Sequence, residues 1–287
     1  MTGLPGSPIL GAEVGLDSSG FSLDAPLLLL PLVSLSISFF TSMAGVSGAF
    51  LLLPFQVSVL GFTSPAVSAT NHLYNVLATP SGVARYAKEG RMSWPLARVL
   101  ITGTAPGALL GTFLRVRYLP EPARFKLFAG VVLLYVGGSL LAARRTRSGA
   151  RRAEAEGGFS RAGVLGLSVI VGLVGGVYGI GGGAIIAPLL VSMFHLPVRR
   201  VAGAALAATG ITSLVAVVAY QGIALVDRSL PIAPDWTLGL LFGLGGMVGM
   251  SLGARVQKHV PSRALEWMMG LILVTVALGY IVGFFNS

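Results

Sequence analysis

The chain has no cysteine in its 287 residues, which excludes a disulfide framework, thiol catalysis and any metal site built on sulfur. Charge is scarce too: Asp, Glu, Lys and Arg make up 10% of the residues, against about a quarter of an ordinary soluble domain. Carboxylates are missing where a proton pump or an intramembrane protease would need them. All ten, Glu13, Asp17, Asp24, Glu89, Glu121, Glu154, Glu156, Asp227, Asp235 and Glu266, stand in the N-terminal stretch, in connections or at the ends of apolar runs. Catalysis by buried Asp or Glu is therefore not expected. Neither a metal nor a cofactor is expected.

What remains is apolar: 54% of the residues are hydrophobic, and the mean hydropathy is +0.83. Runs of about 18 residues or more with few charges can span a bilayer. They recur near 27–60, 66–84, 94–114, 123–143, 162–195, 201–226, 236–254 and 265–285, and the runs at 27–60 and 162–195 are too long for one helix. The composition indicates an all-α, multi-pass membrane protein with lipid around it. A net charge of +10 looks at first like a nucleic-acid signature. Its carriers, Arg85, Lys88, Arg91, Arg144 to Arg161, Arg255, Lys258 and Arg263, stand instead in short connections, as the positive-inside bias requires. Nucleic acid is therefore not an expected partner.

The chain repeats itself. Shifted by 134 residues, Met43 to Val59 ("MAGVSGAFLLLPFQVSV") falls on Val177 to Met193 ("VYGIGGGAIIAPLLVSM"), matching Gly45 with Gly179, Gly48 with Gly182 and Pro54 with Pro188, and farther on Tyr86 with Tyr220. At an offset of 142, Trp94 meets Trp236, and the ladder Gly103, Gly107, Gly111 meets Gly245, Gly249, Gly253. Glycines four apart put a smooth stripe on one helix face for close packing. The expected plan is an external tail over 1–26, a transmembrane repeat over 27–143, a basic cytoplasmic linker over 144–161 and a second repeat over 162–287. Each repeat reads as a hairpin broken at its glycines, followed by three crossings. An odd number of crossings inverts the second repeat relative to the first. This puts the N-terminus outside, in a bacterial inner membrane. The turn carrying Arg115, Arg117, Arg124 and Lys126 departs from the charge rule, since it is basic and would be external.

Four glycines within Gly179 to Gly183 are the sharpest local feature. A dinucleotide loop needs G-x-G-x-x-G after a strand, and a P-loop needs Lys and Ser or Thr after its glycines. Neither pattern is present. Packing alone would explain an isolated run, but a paired run fits discontinuous helices whose exposed N-termini favour an anion. The expected cradle is Ser47, Gly48, Gly181, Gly182 and Gly183. The crossing after the first hairpin carries Ser68, Thr70, Asn71, His72, Asn75, Thr79 and Ser81. Asn71 and Asn75, one turn apart on one face, are the expected side-chain donors, with Tyr178, Thr209 and Gln221 as further candidates. His72 is the one titratable candidate near mid-membrane and the candidate for proton coupling. No arginine is expected at mid-membrane, so anion binding is expected to be modest and reversible.

"GVSGAFLLLPFQVSVLGFTSPAVSATN" and "GIGGGAIIAPLLVSMFHLPVRRVAGAA", with "GRMSW" (Gly90 to Trp94), "GALLG" and "GMSLG", resemble the sulfite exporter TauE/SafE family of membrane transporters. The resemblance implies a secondary transporter, not an enzyme, for a small sulfur-containing or organic anion such as sulfite, sulfoacetate or a related sulfonate. A first-half "GVSG" stands in place of a fuller glycine run, which gives Ser47 a hydroxyl that the second half lacks. An anion channel shares every motif. A membrane-embedded enzyme would need His72 paired with Ser68 or Ser81. Proton or sodium coupling and homo-oligomerisation are left open by the sequence.

Overall fold

The computed structural model describes residues 25–43, 45–62, 64–142, 160–194 and 196–285. Nearly all of the expected tail and basic linker lies outside the described residues. Among those residues there are ten α-helices and no strand, and they fall into two sets of five. The first set is α1 (Ala25–Met43), α2 (Ala49–Ser58), α3 (Ala66–Lys88), α4 (Trp94–Tyr118) and α5 (Pro122–Ala142). The second is α6 (Arg161–Tyr178), α7 (Gly182–Met193), α8 (Val198–Val226), α9 (Trp236–Val256), prolonged by a 3-10 turn over Gln257–His259, and α10 (Ser262–Phe285).

Both long hairpin runs break at glycine. Gly45, Gly179 and Gly181 have φ of 75°, 87° and 70°, a region that side chains with a Cβ rarely adopt. Gly179 caps α6 in the left-handed conformation, its amide donating to the Gly175 carbonyl. Past each break the chain restarts as a short helix: α2 has 10 residues and α7 has 12. At 1.5 Å per residue these reach about 15–18 Å, roughly half of a bilayer's hydrocarbon core.

The glycine ladders explain how the two sets interlock. A Cβ at Gly107 would stand 2.3 Å from the Val169 carbonyl oxygen, and one at Gly249 would stand 2.2 Å from that of Leu35, so α4 lies in backbone contact with α6 and α9 with α1. Val169 and Leu35 are themselves 134 apart (169 − 35), so equivalent ladders meet equivalent neighbours. Both breaks obey the same relation. Gly45 abuts Ala202 of α8, and Gly179 abuts Ser68 of α3, at the same offset (202 − 68 = 134). Helices α3 and α8 lie side by side and run in opposite directions, with His72 beside Ser213, Gly82 beside Leu206 and Gly203 beside Tyr86. Likewise α5 and α10 pass with Gly130 on Ile281 and Gly137 on Val274.

Five of the helices are long and apolar enough to cross a membrane by length and composition. Helix α3 does not reach that threshold although it is 23 residues long, because its polar cluster lowers its hydropathy. Those polar residues are sheltered by protein: Ser68, Thr70, Asn71, His72, Asn75 and Thr79 are all buried.

Candidate functional site

Helix α3 positions the site. Ser47, in the first break, donates its hydroxyl hydrogen bond to Asn75 Oδ1 and accepts one from the Ala49 amide at 3.1 Å. Asn71, one turn earlier, donates from Nδ2 to the Ala49 carbonyl at 2.9 Å and accepts from Gln56 Nε2 at 3.3 Å. Two side chains of one α3 face thus hold the start of α2. Gly48 has no room for more: a Cβ there would stand 2.3 Å from the Tyr74 hydroxyl, which is hydrogen-bonded to Ser38 at 2.7 Å.

Helix α8 does the same for the second break. A Cβ on Gly181 would meet Ser213 Oγ and the Thr209 methyl at 2.9 Å, and one on Gly183 would stand 1.8 Å from the Ala205 carbonyl. Ser213 reaches His72 Nδ1 at 3.0 Å, and His72 and Asn75 lie one turn apart on α3. The N-termini of α2 and α7 therefore start in one layer across the bundle and leave it in opposite directions. Each N-terminus carries about half a positive charge in unpaired amides. In the first break Ser47 caps one of these amides, whereas Gly181, in the matching place, has no side chain with which to cap α7. Asn75 Nδ2, wholly buried, has no hydrogen-bond partner.

Ser47, Gly48, Asn71, Asn75, Gly181, Gly182, Gly183 and Thr209 are thus brought together, with His72 at the same level. Of the other sequence candidates, one lies apart and one sits beside the first turn of α2. Gln221 lies eight residues past Ser213 on α8, about 12 Å along the axis. Tyr178 packs its ring between Phe50 and Phe125, with centroids 5.9 and 6.1 Å away, and its hydroxyl has no partner. Sequence reasoning missed Gln56, Ser38 and the Thr104–Thr212 pair, whose hydroxyls stand 2.8 Å apart next to Gly182. Nothing in the apolar "LLLPFQVS" segment marks Gln56 beyond its being the lone amide there.

One expectation is overturned. Arg115 is not in an external turn: α4 continues to Tyr118, and Arg115 is wholly buried. The signal was available, since Gly103, Gly107, Gly111 and Arg115 are each four apart and so share the packing face. The basic turn loses a second charge to an ion pair between Arg124 and Glu121 at 2.9 Å. The pairing of His72 with Ser68 or Ser81 is also absent. Ser81 donates to the Ala78 and Met247 carbonyls, while Ser68 contacts Val177 and Arg115. Among the described residues no group of three His, Asp or Glu could hold a metal.

At the opposite end from Arg115, Glu89 pairs with Arg85 at 2.7 Å and Arg91 at 2.8 Å, and Arg91 continues to Gln257 Oε1 at 2.8 Å. Burial pushes the Glu89 carboxyl up, but Arg91, Lys258 and Arg85 together hold it below its usual range.

Comparison with known proteins agrees with this architecture. The chain is 27% identical over 249 residues to "Probable membrane transporter protein" of Xylella fastidiosa (strain 9a5c), covering 84% of this chain and 90% of that protein. It is 24% identical to "Probable membrane transporter protein YjnA" and 21% identical to "Probable membrane transporter protein YunE", both of Bacillus subtilis (strain 168). These alignments cover 86% and 82% of this chain, and 96% and 90% of those proteins. No solved structure matches the chain. The family model described as Sulfite exporter TauE/SafE matches residues 30–280, from α1 into α10 and through both breaks, and the chain belongs to that family of membrane transporters.

Proposed function

We propose that the chain carries a small sulfur-containing or organic oxyanion, such as sulfite, sulfoacetate or a related sulfonate, across the bacterial inner membrane by alternating access. The carrying observation is the buried layer in which α2 and α7 both begin, with Asn75 Nδ2 lacking an acceptor beside them. An anion placed there meets two positive helix ends and an amide donor. Because α3 and its counterpart α8 run in opposite directions, we read the two sets of five helices as an inverted repeat. Such halves can exchange conformations, so that a central site opens to one side and then to the other. We read the end carrying the basic cluster around Arg85, Arg91 and Lys258 as cytoplasmic, a reading with the N-terminus outside.

A closed layer favours a carrier over a channel, since Ser47, Asn71, Asn75 and Thr209 are each 0% exposed. Purified protein in proteoliposomes should show saturable uptake of labelled sulfite that is accelerated by unlabelled sulfite on the far side. Flux linear in concentration with no counterflow would refute the carrier. Asn75→Ala transporting every tested anion as well as wild type would refute the site.

A further inference from the structure

Among the described residues, Arg115 is the only Lys, Arg, Asp or Glu side chain that is buried. Its Nε reaches Ser68 Oγ at 3.4 Å, and its guanidinium carbon lies 3.8 Å from the centre of the Phe125 ring. Nη1 and Nη2 have no hydrogen-bond partner. The hydroxyl of Tyr220 lies beside Arg115 and approaches that of Ser68. The acidic groups described at this end are engaged elsewhere. Glu121 pairs with Arg124, Asp227 accepts from Ser229 at 2.6 Å, and Asp235 accepts from the Leu238 amide at 2.9 Å.

The other half shows what a purely structural residue looks like in this place. Gln257 is the repeat equivalent of Arg115 (257 − 115 = 142). It donates to the Met43 carbonyl at 2.8 Å and accepts from Arg91, so both ends of its amide are used. Met43 corresponds in turn to Val177, whose carbonyl Ser68 approaches at 3.4 Å. On the Arg115 side the hydroxyl of Ser68 approaches the carbonyl instead, and the charged fork is left with two unmet donor nitrogens. A buried guanidinium without an anion is unfavourable, and its parallel N–H groups match the paired oxygens of an oxyanion.

We propose that Arg115 grips a small oxyanion through Nη1 and Nη2, aided by the Tyr220 hydroxyl, as a second anion station on the way to the central layer. Ser68 is one helical turn from His72, so the two stations are neighbours along α3. At the same end an open hollow of about 280 Å3 is lined by Pro65, Val116, Leu230 and Ile232. Ile232 also packs with Ala69 and Tyr220, so the wall of the hollow reaches the tyrosine beside Arg115. The binding claim stands on Arg115 itself, and its place on a route rests on the transport reading above.

The test is calorimetric titration of purified wild-type protein with sulfite, sulfate and methanesulfonate at fixed ionic strength. It is repeated on Arg115→Gln, which installs the other half's residue, and on Arg115→Lys and Tyr220→Phe. Anion affinity should fall at least tenfold in Arg115→Gln and several-fold in Tyr220→Phe, with Arg115→Lys in between because it keeps charge and loses the fork. Should Arg115→Gln fail to fold, the tyrosine and lysine variants carry the test alone. Unchanged affinity in the folded variants, even with a lowered melting temperature, would make Arg115 a structural cation and overturn the proposal. If binding survives in Arg115→Gln but is lost in Asn75→Ala, this second station falls and the central site stands. If no anion binds the wild type, both fail.

Discussion

Replacing Gly183 with alanine tests whether α7 must start where it does. The added Cβ would lie 1.8 Å from the Ala205 carbonyl oxygen and 2.4 Å from Thr209 Oγ1, whereas ordinary contact begins at 3.4 Å. The helices α7 and α8 would have to part by about 1.6 Å (3.4 − 1.8), and the obstacle is helix backbone rather than a movable side-chain tip. Overpacking of this kind costs about 1–3 kcal/mol. At roughly 2–4 °C per kcal/mol for a chain of a few hundred residues, the melting temperature should drop on the order of 5 °C. Gly166→Ala is the matched control: it sits on an exposed face of α6 with nothing within 4 Å. Alanine favours a helix by about 1 kcal/mol over glycine, so this variant should melt at or above wild type. Thermal unfolding in detergent, followed by fluorescence, compares the three proteins. Equal melting temperatures for Gly183→Ala and Gly166→Ala would refute the reasoning, because the close approach of the second break to α8 would then carry no weight.

Ser47→Gly gives the first break the chemistry of the second. The Ala49 amide loses its acceptor and Asn75 loses its hold, an expected cost of about 1–3 kcal/mol in melting experiments, together with slower anion uptake. Glu89→Gln removes a carboxylate held below its usual range by Arg91, Lys258 and Arg85, so wild type should be the more stable at pH 7. A lowered folded value means that this advantage is full above the ordinary value of 4.5 and is lost as the pH falls below it, through the folded value. Melting curves of both proteins from pH 7 to pH 3 should therefore converge, and a constant gap would contradict the ion-pair account. His72→Ala should abolish any dependence of uptake on a pH gradient if the histidine carries the coupled proton. Retained coupling would assign the proton elsewhere.

Much of this architecture is legible in the sequence because glycine and proline leave marks that do not depend on partners. The 134-residue register, the two breaks and the four-spaced ladders can be read directly, and the structure turns each into a contact between equivalent neighbours. Asn71 and Asn75 are legible for a related reason: two amides one turn apart in a membrane chain must face protein or ligand. What could not be read was which half each side chain would meet. Asn71 and Asn75 hold their own half's short helix, while His72 crosses to Ser213. Gln221 lies away from the layer because polarity alone does not give depth along a 29-residue helix. Arg115 was hidden by the habit of assigning charge to the nearest turn, although the spacing of the glycines before it had already fixed the direction of its side chain.

The two halves share a backbone plan and diverge in what they attach to it, and the divergence has a direction. At the positions nearest the breaks, α3 offers Asn71 and Asn75 where α8 offers Ala205 and Thr209. The first break has the Ser47 hydroxyl and the second has bare Gly181. Where the first-half hairpin end meets a satisfied Gln257, the second meets a charged Arg115 with open donors. The halves repeat the ladder contacts but not every packing detail, since Ala49 stands where the second half has a crowded Gly183. Side-chain donors gather on the first half and unpaired backbone donors on the second, and both face the same layer. An anion between them would be held from one side by groups that can rotate and from the other by groups fixed in a helix. Motion of one half against the other would then change the first set of contacts while the second persisted, and that difference would let a site release its ligand on one side only.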